Sequence, residues 1–299
     1  MFSRRHPYLF FILIFSTIVA TATIGLSVLF ALSARDSDFE FGEKVGVIEI
    51  NGIISEAKTT IQNLKRFRED ESIKAIVIRI DSPGGAVGPS QEIYREIRKT
   101  SDTKKVVASM GTIAASGGYY IAAGTDGIVA NPGTITGSIG VIMGFTNYEK
   151  LLEKIGLFPV VIKSGEYKDM GSPVREMKET EQKILHDFAE KIHRQFIMDI
   201  VDGRRMEKAE VESLADGRIF TGEESKALGL VDRLGNYEDA IEWAGRMGGI
   251  EGKISTVYAR DKKFSFLKYL SDSLVKTVVD RIDHPSFFAD YLYKPEKGL

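Results

Sequence analysis

Charged and apolar positions divide this chain into distinct stretches before any motif is read. Arg4, Arg5 and His6 precede a run over 7–34 that contains no charged side chain. About 20 apolar residues cross the hydrocarbon core as a helix, so this run suffices with some tilt. It exceeds the roughly 7–15 residues of a cleaved signal peptide's apolar region, and its small-residue triplet Ala20-Thr21-Ala22 falls inside the run. The expectation is an uncleaved signal anchor over 7–34. The arginines before it leave residues 1–6 in the cytoplasm and the rest of the chain outside it. Residues 35–43 are polar and read as a linker.

From residue 44 the pattern changes. Segments 45–50, 75–80, 106–110, 128–130, 140–145 and 159–163 are compact apolar runs of strand length. Helical stretches fall between them, around Ile61 and Leu64, at 91–99 and at 147–155. Over 176–201 a long charged helix is expected, with Ile184, Phe188, Ile192 and Phe196 as its buried stripe. Two shorter helices are expected within 222–247. Strands alternating with helices predict the α/β class, a parallel sheet covered by helices. The main domain is expected over 44–247. Residues 248–299 form a C-terminal extension, strand-like at 254–258, helical at 264–282, and ending in Phe287, Phe288, Tyr291 and Tyr293.

Composition narrows the function by exclusion. At 299 residues the chain suits one large domain with appendages as well as two domains. A net charge of -2 and the lack of a basic stripe argue against nucleic acid. Zero cysteines exclude disulfides, thiol catalysis and cysteine-ligated metal. Of the four histidines, His6 precedes the anchor and His284 lies in the extension. His186 and His193 are seven apart, on the polar side of the long helix, and read as solvated surface. None lies in a glycine-rich loop, so neither a Ser-His-Asp triad nor a metal site is expected.

Four loops carry the candidate chemistry. Ser116, in Ala114-Ala115-Ser116-Gly117-Gly118-Tyr119-Tyr120, sits where a strand meets a helix. There it is either an exposed nucleophile or an ordinary helix cap. Asp81-Ser82-Pro83-Gly84-Gly85 ends a strand, where paired glycines make either an oxyanion pocket or a plain turn. Ser138, in Thr136-Gly137-Ser138-Ile139-Gly140-Val141, is able to orient an amine or to serve a turn. Lys168, in Gly165-Glu166-Tyr167-Lys168-Asp169, is the best candidate to take a serine proton, though loop lysines are ordinarily solvated charges. A free lysine titrates at about 10.4, and bringing it to about 7 costs the charged form roughly 4.6 kcal/mol. Burial in an apolar pocket is able to supply that, whereas Glu166 and Asp169 would oppose it if they faced inward.

In order and spacing these four motifs, with Gly229-Leu230-Val231-Asp232 after them, closely resemble the signal peptide peptidase A family. The resemblance covers about 44–245, and the anchor in kind. It implies a membrane-anchored serine protease with a ClpP/crotonase-like fold, a superhelix of stacked β-β-α turns. It makes Ser116 the nucleophile, Lys168 the general base and Ser138 the residue that orients the lysine. Gly85, Gly117 and less directly Gly84 become the oxyanion donors. It implies no cofactor, apolar peptide substrates such as signal-peptide remnants, membrane lipid as a partner, and a prokaryotic inner membrane as the setting. Short single-copy members assemble as homo-oligomeric rings or domes of about eight subunits, neighbours sharing each Ser/Lys pair. Two other functions compete, a crotonase-like acyl-CoA enzyme and a catalytically silent membrane scaffold.

Overall fold

The structure is a computed structural model that describes residues 7–35, 43–259 and 290–292. Contacts divide the chain into two units, Met1–Gly42 and Glu43–Leu299. The first contains helix α1, Pro7–Arg35. Its stretch Tyr8–Ser27 has a mean hydropathy of 2.3 and no residue buried against protein. Twenty residues rise about 30 Å, the thickness of a bilayer's hydrocarbon core. The hydroxyls of Thr17 and Thr23 donate to the carbonyls of Leu13 and Val19, so they are satisfied without water. By length and composition the helix is long and apolar enough to cross a membrane.

The second unit begins with β1 (Lys44–Asn51), α2 (Lys58–Glu69), β2 (Ile73–Ser82), β3 (Gly84–Ala86) and α3 (Val87–Ser101). Then come β4 (Lys105–Ala115), α4 (Gly117–Ala123), β5 (Gly127–Ala130), β6 (Ile135–Gly137) and α5 (Glu149–Lys154). The long helix α6 (Glu179–Arg204) leads to α7 (Lys208–Leu214), β7 (Ile219–Thr221), α8 (Gly222–Ala227) and β8 (Arg233–Leu234). Last are α9 (Tyr237–Met247), β9 (Ser255–Tyr258) and β10 (Asp290–Leu292).

The main sheet runs β7-β6-β4-β2-β1-β9, with β5 pairing β4 and β8. Among these pairs only β6–β7 is antiparallel. Both faces are covered, as a parallel sheet requires. Val45, Val47, Val77 and Val107 meet Ala240, Ile241 and Ala244 of α9. Ile48, Ile76, Ile78 and Ile80 meet Leu64, Phe67, Ile93, Ile97 and Phe196 on the opposite face. That alternation along each strand is the period-two pattern of β-branched residues.

Strand β4 positions the site. Its first half pairs β5 through Val107–Ser109, and its end pairs β6 through Ile113–Ala115. The change of neighbour steps the sheet and places Ser116, the next residue, beside the end of β6. Residues after Gly248 return to the body: Ile250 is buried, and β9 lies parallel to β1. Farther on, β10 pairs antiparallel with β3, Tyr291 opposite Gly85.

Several expectations are corrected. Apart from a bridge position at Ile142, residues 140–145 and 159–163 form no strand. Val141 is half-buried against the core, but the side chains of 160–162 are exposed, Val160 at 87% and Ile162 at 95%. Helix α6 buries Leu185, Ile192, Phe196, Ile197 and Ile200, whereas Ile184 and Phe188 face outward. The extended helical expectation at 264–282, with His284, Phe287, Phe288 and Tyr293, lies outside the described residues.

Candidate active site

Ser116 is held in a conformation that an L-residue rarely adopts, with φ 53 and ψ -114. Such a backbone costs on the order of 1–3 kcal/mol and persists only where its surroundings impose it. Here the amide of Ser116 donates to the Gly137 carbonyl at 2.8 Å, and its carbonyl accepts from Tyr120 at 2.8 Å. The side chain makes no capping bond to the helix that follows. A cap needs no strained backbone, so the ordinary cap reading loses its support.

Helix α4 is anchored from below. Tyr119, Tyr120, Ile121 and Ala122 have no exposed surface. The Tyr119 hydroxyl donates to the Leu230 carbonyl at 3.1 Å. Tyr120 packs edge-on against Tyr94 and tilted against Phe196 of α6, and its hydroxyl donates to Asp199. Burial raises the Asp199 carboxyl above its ordinary range. The Ser116 elbow therefore rests on packed aromatics.

The two glycine loops meet beside it. A Cβ on Gly117 would lie 2.7 Å from Ser90 Oγ and 3.2 Å from the Gly85 amide nitrogen. A Cβ on Gly85 would strike the Ile54 carbonyl oxygen at 2.2 Å. Gly84 adopts φ 106, and its amide donates to Ser82 Oγ at 3.1 Å. These positions need glycine for the close approach of two backbones. That approach brings Gly85 and Gly117 together next to Ser116, as an oxyanion pocket requires. Asp81 is occupied elsewhere, accepting from the Ile113 amide at 3.2 Å.

Ser138 repeats the strain, with φ 52 and its amide donating to the Arg218 carbonyl at 2.8 Å. Ser116 and Ser138 line one open cavity of about 400 Å³, together with Gly140, Val141, Ile142 and Gly217. The facing wall is α6, through His186, Ala189, Glu190 and His193. This corrects the reading of His193 as solvated surface, whereas His186 is exposed as expected and only borders the cavity. His186 pairs with Glu190 at 3.2 Å, while His193 Nε2 is buried without a hydrogen-bond partner. Their seven-residue spacing showed that they share a helix face, but not what the face covers.

Lys168 is absent from that wall. It is exposed on the loop before α6, and no residue of 164–178 lines the cavity. The charges around it are paired with one another. Asp169 meets Arg175, with Nε to Oδ2 at 2.9 Å and an Nη to Oδ1 at 2.9 Å. Arg175 also forks onto Glu181 at 2.6 and 2.8 Å. Glu166 lies 3.5 Å from Lys178. Arg175 and then Lys163 hold the Asp169 carboxyl well below the usual range, and Arg175 does the same for Glu181. Sequence reasoning did not single out Arg175 or Glu181, although an Arg six residues before a Glu at a helix start was visible.

Comparison with known proteins fits this geometry. Residues 98–250 match the model of peptidase family S49, and residues 45–134 match that of Clp protease. A protein of Synechocystis sp. described provisionally as a protease, slr0021, is 44% identical over 80% of this chain and 88% of its own length. Protease 4 of Salmonella typhi is 34% identical over 70% of this chain, but only 35% of its own length is covered. Among solved structures, the 1510-N membrane-bound stomatin-specific protease matches with a TM-score of 0.51 at 18% identity. That match covers 74% of this chain and 99% of the other, and speaks for a shared fold.

Proposed function

This chain belongs to peptidase family S49, as a short single-domain relative of signal peptide peptidases with a ClpP-like α/β fold, and from that premise we propose a Ser/Lys dyad mechanism. It is a serine peptidase of that family. The reading of its chemistry rests on Ser116, a buried serine at a strained elbow with the Gly85 and Gly117 backbones brought against it.

In this reading Lys168 takes the Ser116 proton and the alkoxide attacks a peptide carbonyl. The oxyanion is held by backbone N–H groups at Gly85 and Gly117, with Gly84 shaping the turn. The lysine returns its proton to the leaving amine, and water then hydrolyses the acyl-enzyme by the same route. Ser138, on the same cavity wall as Ser116, orients the amine. The steps require no cofactor.

Because Lys168 stands outside the cavity of its own chain, the site is read as shared between copies. The segment 142–162 supports such assembly. Ile142, Leu151, Leu157, Phe158, Val160 and Ile162 are all exposed within this one segment, the kind of apolar clustering that marks interaction surfaces. A neighbouring copy covering that segment would enclose both it and the lysine. Desolvation then disfavours the charged amine, as a general base needs. The helix over 7–35 anchors the enzyme, N-terminus in the cytoplasm, at a prokaryotic inner membrane.

Substrates are apolar peptides such as signal-peptide remnants, binding as a strand along β3. Residues 290–292 of the chain itself lie on that edge, antiparallel, with Tyr291 opposite Gly85. Main-chain pairing at a sheet edge gives affinity with loose sequence demand. The test is cleavage of a synthetic signal peptide by full-length protein in detergent micelles. Wild type cleaves it, whereas Ser116→Ala and Lys168→Ala do not. Turnover by either variant at the wild-type rate refutes the dyad.

A further inference from the structure

The two carboxylates nearest the proposed base in sequence, Glu166 and Asp169, present an electrostatic difficulty. An unpaired carboxylate beside Lys168 would favour its ammonium form and hold it inactive. Neither is unpaired. Asp169 is gripped by Arg175 through two side-chain contacts of 2.9 Å and a third, from Nη to the Asp169 carbonyl, of 3.1 Å. Lys163 closes on the same carboxylate and donates to the Glu166 carbonyl at 2.8 Å. Glu166 itself faces Lys178.

Arg175 is fixed in turn from the helix. Glu181, in the first turn of α6, has no exposed surface and accepts both arms of the Arg175 fork. Its remaining capacity is taken by the Lys178 amide at 3.0 Å. Arg175 and Asp169 keep part of their surface exposed, so solvent still screens the cluster on that side. Bidentate arginine pairing nevertheless fixes direction as well as charge. Other charged groups adjoin the loop in sequence, the exposed Glu176 and Glu179, and α5, which carries Glu149, Lys150, Glu153 and Lys154, begins beside it. The Tyr148 amide before α5 donates to the Pro173 carbonyl at 2.6 Å.

We propose that Arg175 is a positioning residue for the catalytic lysine: it engages and neutralises the Asp169 carboxylate, and fastens the lysine-bearing loop to α6 through Glu181. The inference rests on Lys168 being the base. Helix α6 carries this fastening at its start, the cavity wall at His186–His193, and the Tyr120 contacts at Phe196 and Asp199. One rigid element thus holds both the serine elbow of a subunit and the lysine that the subunit offers.

The experiment is the pH dependence of kcat/KM for full-length protein in micelles, using an apolar peptide ester and a peptide. Arg175→Gln frees Asp169 to pair with Lys168, so the activating alkaline limb moves up by roughly 0.5–1 pH unit. Activity at neutral pH falls about 3- to 10-fold, and is recovered at high pH. Adding Asp169→Asn to Arg175→Gln returns the limb to its wild-type position, and Arg175→Lys moves it less than Arg175→Gln. Asp169→Asn alone, which keeps the Arg175–Glu181 fork, leaves the limb in place and serves if Arg175→Gln folds poorly. An unshifted limb in Arg175→Gln, or equal loss at every pH that Asp169→Asn does not reverse, overturns the proposal. So does a displaced limb in Asp169→Asn alone. Lys168→Ala is run beside them: its activity would overturn the base assignment itself, whereas an inactive Lys168→Ala with an unmoved Arg175→Gln limb overturns the positioning role alone.

Discussion

The amide of Ser116 donates to the carbonyl of Gly137 at 2.8 Å, so the last residue of β6 holds the serine elbow in its strained form. Strain at this position predicts an unusual stability response. Ser116→Gly removes the penalty of a positive φ and should stabilise the protein by about 1 kcal/mol after the entropy cost of glycine. Ser116→Ala keeps the penalty and should be nearly neutral. Denaturant unfolding of the three proteins at constant pH reads this. A destabilised Ser116→Gly would show that the elbow is not strained.

Gly117→Ala places a methyl 2.7 Å from Ser90 Oγ and forces β3 away from the elbow. Loss of oxyanion contact costs about 100- to 1000-fold in kcat when a donor is removed outright. A displaced donor should cost at least about 10-fold, with KM changed less than kcat. Steady-state kinetics on a peptide ester measures both.

Acid should loosen the lysine loop before the core. Arg175 lowers the Glu181 carboxyl from 4.5 to about 2, and Asp169 is lowered as well. Because both folded-state values lie below the unfolded ones, their contribution is complete above about pH 4.5 and is lost as pH falls through the folded values. Amide exchange over 163–181 should therefore quicken between pH 4 and pH 2, relative to β1 and β2. Equal protection of both regions across that window would contradict it.

Much of this was legible along the chain. Valine and isoleucine alternating over β1, β2 and β4 signal a sheet buried on both faces, and four glycine-rich loops mark the strand ends. What was not legible depends on tertiary neighbours. Segments 140–145 and 159–163 have strand composition, yet apart from the bridge at Ile142 they join no strand among the described residues, and Val160 and Ile162 remain exposed. Short β6 and β7, three residues each, carry too little pattern to be read, and α7 buries Val211 as its only helical signal. His193 was read by its helix face as surface, because periodicity gives a direction and not the Ser116 cavity that the direction meets.

If neighbouring copies share each site, activity should be recovered by mixing inactive subunits. Ser116→Ala and Lys168→Ala, each dead alone, should regain roughly a quarter of wild-type activity when co-expressed at equal levels. A mixture that stays inactive would place serine and lysine in one chain. Crosslinking of the same preparations reports whether mixed assemblies formed.

Pairing of residues 290–292 with β3 should compete with peptide for the same edge. Tyr291→Pro removes one amide from that pairing. The expected result is a lower KM, by about 2- to 5-fold, at constant kcat. An unchanged KM would mean that peptides bind elsewhere.

The most direct measurement is the rate at which a fluorophosphonate probe labels Ser116, located by peptide mapping, across single variants. With lysine as the activating base, wild type and His193→Ala label at comparable rates, and Lys168→Ala falls to the background of Ser116→Ala. Wild-type labelling of Lys168→Ala, or its loss in His193→Ala, would assign the base to the imidazole on α6 and overturn the dyad.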